Sequence, residues 1–246
     1  KPMTVLNTIV AKQLQDFKKE VDALIDKKNL KKDEAVFNIL REYIKTSKRL
    51  RFDGDGYSDD WEKEAIRRKL SNNKNTPSAL QVLTSKASID LFKTMKVMSE
   101  VEIAARKEVE LETYIFQIQI EGRVYNELVY SYIIPVAIEY QSALIKNVMG
   151  LKDIYGAAHK KLSDGQLTII EQIAEHIADM KKLSDLMTDA RKSANALKDI
   201  NKKAYAYCDN VKPYFDQIRL HCDKLESLMD NRLWPLTKYR ELLFQK

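Results

Sequence analysis

The residues best placed to do chemistry crowd into one short stretch, Leu50-Arg51-Phe52-Asp53-Gly54-Asp55-Gly56-Tyr57-Ser58-Asp59-Asp60-Trp61, where four carboxylates alternate with two glycines and three aromatic rings. Carboxylates at alternate positions in a tight loop are the signature of a calcium site. With Asp53 at position one of an EF-hand loop, Asp55 falls at three and Glu64 at twelve. Tyr57 then stands at five, and Ser58 occupies position six, where the sharp turn requires glycine. The loop therefore reads better as a structural turn, with Asp59 capping a helix and Glu62 three residues on.

The remaining chemistry-bearing residues are sparse. His159, His176 and His221 are far apart, and Cys208 and Cys222 are the only cysteines. Nothing follows the patterns of a nucleophile elbow, a phosphate-binding loop or a zinc-protease helix. His176 lies beside an apolar stripe and reads as a packed histidine. His221 and Cys222 are neighbours, which on a helix point apart, so no activated thiol is expected. The cysteines read as buried thiols in a reducing compartment, and no metal, cofactor or catalytic residue is assigned.

The elements that carry these residues are helical. Only 6 Gly and 5 Pro occur in 246 residues, 32% of which are charged and 44% hydrophobic, and no alternating strand pattern is present. The fold class expected is all-α: an N-terminal cluster of shorter helices (1–98) packed on a bundle of long antiparallel helices (99–246). Within the cluster, helices are expected over 2–26, 33–48 and 59–69, with further turns after Thr76-Pro77 and around Ile89 to Met98.

The chain is organised around 99–150. Ser99 and Glu102 form a capping box, apolar residues recur at steps of three and four, and Gly150 is the expected stop. Such a helix would be on the order of 75 Å long. Pro135 should kink it, and the apolar run Val129–Ile138, too short to cross a membrane, should be covered on all sides. A second long helix should open at Ser163-Asp164 and a third near Asp209, with Pro213 in its first turn. Trp234-Pro235 should end the bundle, and 238–244 should form a closing turn able to dock on a neighbour.

Net charge is +6, but the basic pairs Lys18-Lys19, Lys27-Lys28, Lys160-Lys161 and Lys181-Lys182 sit among acids, as on a solvated helix face. Nucleic-acid binders concentrate their charge, so no nucleic acid is expected as partner, and no membrane. The chain opens on Lys1 rather than Met and shows no signal peptide, and it reads as part of something larger.

Five stretches in order resemble the C-terminal part of type III glutamine synthetase: the opening PMTVLNTIVA, the loop RFDGDGYSDDW, NTPSAL, ELETYIFQIQIEGRVYNELVYSYIIP, and the ending LWPLTKYRELLF. The resemblance implies a cytoplasmic ligase of nitrogen assimilation that uses ATP and a divalent metal, magnesium or manganese, to join glutamate and ammonia. It places the metal, ATP and glutamate contacts on a β-barrel absent from this stretch, so the chain should not be catalytic alone. Carried over residue by residue, Pro2, Thr4 and Asn7 would flank the active site, and Arg51, Asp53, Asp55 and Asp60 are candidate loop contacts. Lys1 stands where the family has Asn. The helices after Gly150 match an extension of the type III enzymes and are expected to serve homo-oligomer assembly. On composition and heptads alone, the alternative is a free-standing helical adaptor that binds partner helices.

Overall fold

The computed structural model describes residues 2–244, without the side chains of 49, 239 and 240. Every regular element among them is helical, as expected, and the chain divides into two compact units, Lys1–Glu110 and Leu111–Lys246. Lys1 itself lies outside the described residues.

In the first unit, α1 (Pro2–Lys28) and α2 (Lys32–Thr46) pair through a short turn. Asn29, at φ 51°, takes the left-handed conformation that lets a helix stop and reverse. Phe17 meets Tyr43 edge-on with ring centroids 6.0 Å apart. Only Thr8, Val21 and Ala35 of these helices are buried, and the apolar stripe otherwise stands open: Leu6, Leu14, Phe37 and Ile44 are 58–64% exposed.

Three short helices follow, each started by a side chain that satisfies an orphan amide. Ser58 accepts from Trp61 N to start α3 (Asp59–Arg67), Asn75 from Ser78 N to start α4 (Thr76–Gln81), and Ser85 from Ser88 N to start α5 (Lys86–Thr94). The caps at Ser58 and Asn75 each lie one residue earlier than the sequence pattern indicated at Asp59 and Thr76. A short oxygen-bearing side chain in extended backbone serves the role at either position, and the chain path decides. α6 (Glu100–Leu128) begins with the expected capping box: Ser99 N donates to Glu102 Oε2 (2.7 Å), and Glu102 N donates to Ser99 Oγ (3.3 Å).

The second unit is a bundle. α6 passes through a π turn, Val129–Ile133, into α7 (Ile134–Tyr155); α8 (His159–Asn195) returns, and α9 (Ile200–Ala206) leads through another π turn, Tyr207–Val211, into α10 (Pro213–Leu228). Side-chain pairs fix the directions. Asn126–Thr188, Tyr130–Asp185, Gln141–Ile170 and Asn147–Gln166 descend along α8 as they ascend α6 and α7, so these run antiparallel. Tyr125 stacks on Phe215 at 4.7 Å. α8 also packs on α10, and its Ile173, Met180, Met187 and Ala194, seven residues apart, are at most 3% exposed.

Four expectations are corrected here. The helix does not stop at Gly150; it runs to Tyr155 and ends on Gly156, whose φ of 56° is the backbone conformation glycine adopts without strain. Ser163 does not open α8 but lies buried inside it, its hydroxyl donating to His159 O (2.9 Å), four residues back. The third long run starts earlier than Asp209, at a cap where Asp199 accepts from Lys202 N (2.7 Å). Finally, Val129–Ile138 is not covered all round: Val129, Ile133 and Ala137 are buried, whereas Tyr130, Tyr132 and Ile138 are 39–47% exposed.

The contrast between buried and open apolar positions is testable. Leu225, fully buried on α10, should cost about 2–5 kcal/mol when changed to Ala, through lost contacts and a cavity. Leu186→Ala, at a position 43% exposed, should stay within about 0.5 kcal/mol of the parent in the same urea titration.

Candidate functional site

The start of α1 lies beside an apolar cavity of about 450 Å³ within the first unit. Pro2, Thr4 and Val5 line it with Leu83, Phe92, Val97, Met98 and Ile103, while Arg106 and Glu110 supply the charges. Pro2, Thr4 and Asn7 are themselves exposed, and Asn7 is not among the lining residues. Lys107, on the same helix as Arg106, donates to Gln81 Oε1 and Thr84 Oγ1, which ties the end of α4 to α6.

The loop 51–58 owes its shape to local hydrogen bonds and one aromatic clamp. Asp55 Oδ1 accepts from Tyr57 N (2.9 Å), its carbonyl accepts from Ser58 Oγ (2.7 Å), and Ser58 then caps α3. Phe52 packs on Trp61 at 4.6 Å, with the Arg68 guanidinium within 6.0 Å of both rings. Arg68 also donates to Arg51 O (2.6 Å), so the cation fastens both ends of the loop. Glu64 accepts from Arg67 and Arg68, whose hydrogen bonds hold its carboxyl down at about 2. Glu64 is thereby committed to arginine, and Arg51, Asp53, Asp55 and Asp60 are exposed around the loop. No three His, Cys, Asp or Glu side chains among the described residues converge closely enough to hold an ion.

A pairing that sequence reasoning missed lies in the second unit. His176 on α8 and His221 on α10, 45 positions apart, meet with Nδ1 atoms 3.2 Å apart and ring centroids at 5.3 Å. Asp179 Oδ2 lies 3.9 Å from His221 Nδ1. Burial, then the neighbouring His221, lowers the pKa of His176. The only signal in the sequence was that both residues border the buried stripes of helices that had to pack. Cys222, beside His221, is no nucleophile, because burial pushes its thiol up to about 12. Cys208 is raised as well, by burial first.

Comparison with known proteins shows what these parts are similar to. Residues 35–152 match the family model of the glutamine synthetase C-terminal domain. The chain is 41% identical over 245 residues to a glutamine synthetase of Bacteroides fragilis (strain YCH46), covering 99% of this chain and 34% of that protein. It is 30% identical over 250 residues to the type-3 glutamine synthetase of Dictyostelium discoideum, covering 99% of this chain and 33% of that protein. A glutamine synthetase of Butyrivibrio fibrisolvens is 29% identical over 212 residues, 86% of this chain and 30% of the relative. The chain thus spans about a third of the length of these relatives, and its resemblance to the C-terminal region of type III glutamine synthetase is borne out.

The thiols provide a check on the second unit. At pH 8 a thiol titrating near 12 is about one part in ten thousand thiolate, so Cys222 in the folded chain should react with iodoacetamide far more slowly than in guanidinium. Peptide mapping after a timed reaction gives the ratio, and equal rates in the two states would show that α10 does not cover this side chain.

Proposed function

We propose that this chain supplies the helical C-terminal region of an ATP-dependent glutamate–ammonia ligase, a cytoplasmic glutamine synthetase of nitrogen assimilation, and that it serves architecture and assembly rather than the chemical step. The observation that carries the reading is similarity to glutamine synthetases along 99% of the chain, confined to about a third of their length.

The ligase reaction requires a phosphoryl group to pass from ATP to the γ-carboxylate of glutamate, and ammonia then to displace it, with magnesium or manganese neutralising the phosphates. The described residues of this chain do not fit the metal. The loop carboxylates are exposed and spread apart, Glu64 is held by two arginines, and no group of three ligating side chains forms among the described residues. In this reading those contacts belong to the remaining two thirds of the longer protein. Pro2, Thr4 and Asn7 flank that active site, and Arg51, Asp53, Asp55 and Asp60 present the loop 51–60 to it.

Uncovered apolar surface supports the assembly role. Phe116, Ile120 and Val124 recur at steps of four on α6 and are 45–61% exposed; Ile138, Ile145 and Met149 on α7 are 41–60% exposed. Leu243 and Phe244 in the closing turn are about 80% exposed. One run within Glu100–Asn195 is long and apolar enough, by length and composition, to cross a membrane, yet only 17% of it is buried here. Like copies of the chain, arranged as a homo-oligomer, are the occupants this reading assigns to these faces.

The experiment has two readouts. An antibody raised against the chain should detect, in source cells, a species far larger than 28.6 kDa whose purified fraction forms glutamine from glutamate, ammonia and ATP. A 28.6 kDa species without that activity would overturn the ligase reading. In the purified full-length protein, Ile120→Glu with Met149→Glu should lower the assembly mass in analytical ultracentrifugation while the helical circular dichroism is kept. An unchanged mass would remove these faces from the contact.

A further inference from the structure

We propose that a second copy of the chain docks on the outer face of α6, the two helices running antiparallel about a twofold axis near residues 117–118, so that Glu112 of each copy meets the partner's Arg123 beside a core of Phe116 and Ile120. The inference rests on the assembly reading above and gives that reading one contact, with an orientation and a register.

Spacing is the first argument. Phe116 and Ile120, one turn apart, are 61% and 59% exposed, and Val124 continues the line at 45%. Large apolar side chains at that spacing form a ridge that the groove of another helix can receive. Glu112 lies one turn before Phe116, and Arg123 lies three residues beyond Ile120. Eleven residues make three turns to within about 20° of rotation, so the two charges stand on one flank of the ridge, at its opposite ends. About 16 Å of helix separates them, too far for them to pair within one chain.

Charge is the second. Glu112 and Arg123 are both exposed, and neither has an ion pair or hydrogen bond among the described residues. Elsewhere on the bundle exposed charges do find partners a turn away, as in Lys181–Asp185 and Lys192–Asp189. A face with an unpaired anion at one end and an unpaired cation at the other is complementary to itself only when turned end for end. Turned so, the glutamate–arginine pair forms twice per contact, and Phe116 packs beside the partner's Ile120. With the helices parallel, glutamate would face glutamate and arginine would face arginine, which opposes association. A twofold contact also closes on itself, using each patch once and leaving no open filament. Exposed ion pairs contribute little binding energy; here they set direction and register, while the apolar residues supply the burial.

The test uses the full-length protein and reads assembly mass by analytical ultracentrifugation. Glu112→Arg and Arg123→Glu should each weaken association at least tenfold, because each sets two pairs of like charges face to face. An equimolar mixture of the two variants should regain the parent's assembly mass, since each chain then presents the charges that the other lacks. Single variants that keep the parent's mass would overturn the proposal, as would a mixture that stays apart while both circular dichroism spectra are intact. Should a variant fail to fold, a milder one decides. With Arg123→Lys, carbodiimide should join Glu112 to the introduced amine, and mass spectrometry should find that link only between two chains. Absence of the link would equally overturn the contact. The wider reading fails differently: a parent that assembles but ignores both charge reversals keeps the assembly role and loses this contact. A parent that stays a single subunit at every concentration loses both, and glutamine formation tests the ligase reading separately.

Discussion

The second unit depends on one seam, the heptad stripe of α8. Ile173, Met180, Met187 and Ala194 fall seven residues apart and are almost wholly withdrawn from water, so a single face of one 37-residue helix supplies much of the core. Helices that meet such a stripe must run nearly parallel or antiparallel to it, because only then do successive knobs find holes along the whole length. The ladder from Asn126–Thr188 to Asn147–Gln166 records the antiparallel solution on one side. Phe215, Ile218 and Leu225 of α10 record the packing on the other. The histidine pair is a by-product of the same seam, since residues bordering two packed stripes are forced to meet.

Two prolines fall inside otherwise continuous helix, and both are accommodated in the same way. A π turn, Val129–Ile133, precedes Ile134-Pro135, and another, Tyr207–Val211, precedes Lys212-Pro213. Proline lacks the amide that would reach back four residues, and its ring crowds the carbonyl there. Inserting one residue into the preceding turn widens the ladder and relieves that clash without ending the helix. The insertion also shifts the face of the helix, so the stripe that is buried before Pro135 is not the one that a uniform helical period would extend beyond it.

Much apolar surface remains open in both units. α1 and α2 bury three residues between them while Leu6, Leu14, Phe37 and Ile44 face outward, and α6, α7 and the closing turn carry further uncovered side chains. Scattered exposed leucines need no explanation, but stripes at helical spacing on long helices do. The chain matches only about a third of the length of a longer relative.

Sequence alone was enough for what local physics controls. The helical period, the scarcity of glycine and proline, the Ser99–Glu102 box and the family motifs were all readable, because each depends on residues within a turn or two of one another. Where two local signals competed, the chain path chose. Gly150 and Gly156 are both plausible stops, and only the turn into α8 needs the positive φ that Gly156 adopts. Ser163 has a capping side chain, but it lies within a helix that had already begun at His159. What no local pattern contains is which side of an apolar run meets a partner and which distant residues become neighbours. The exposure of Tyr130, Tyr132 and Ile138, and the contact between His176 and His221 across 45 positions, were decided by the packing of α8 against its neighbours, because side-chain burial is a property of the pair of surfaces and not of either sequence.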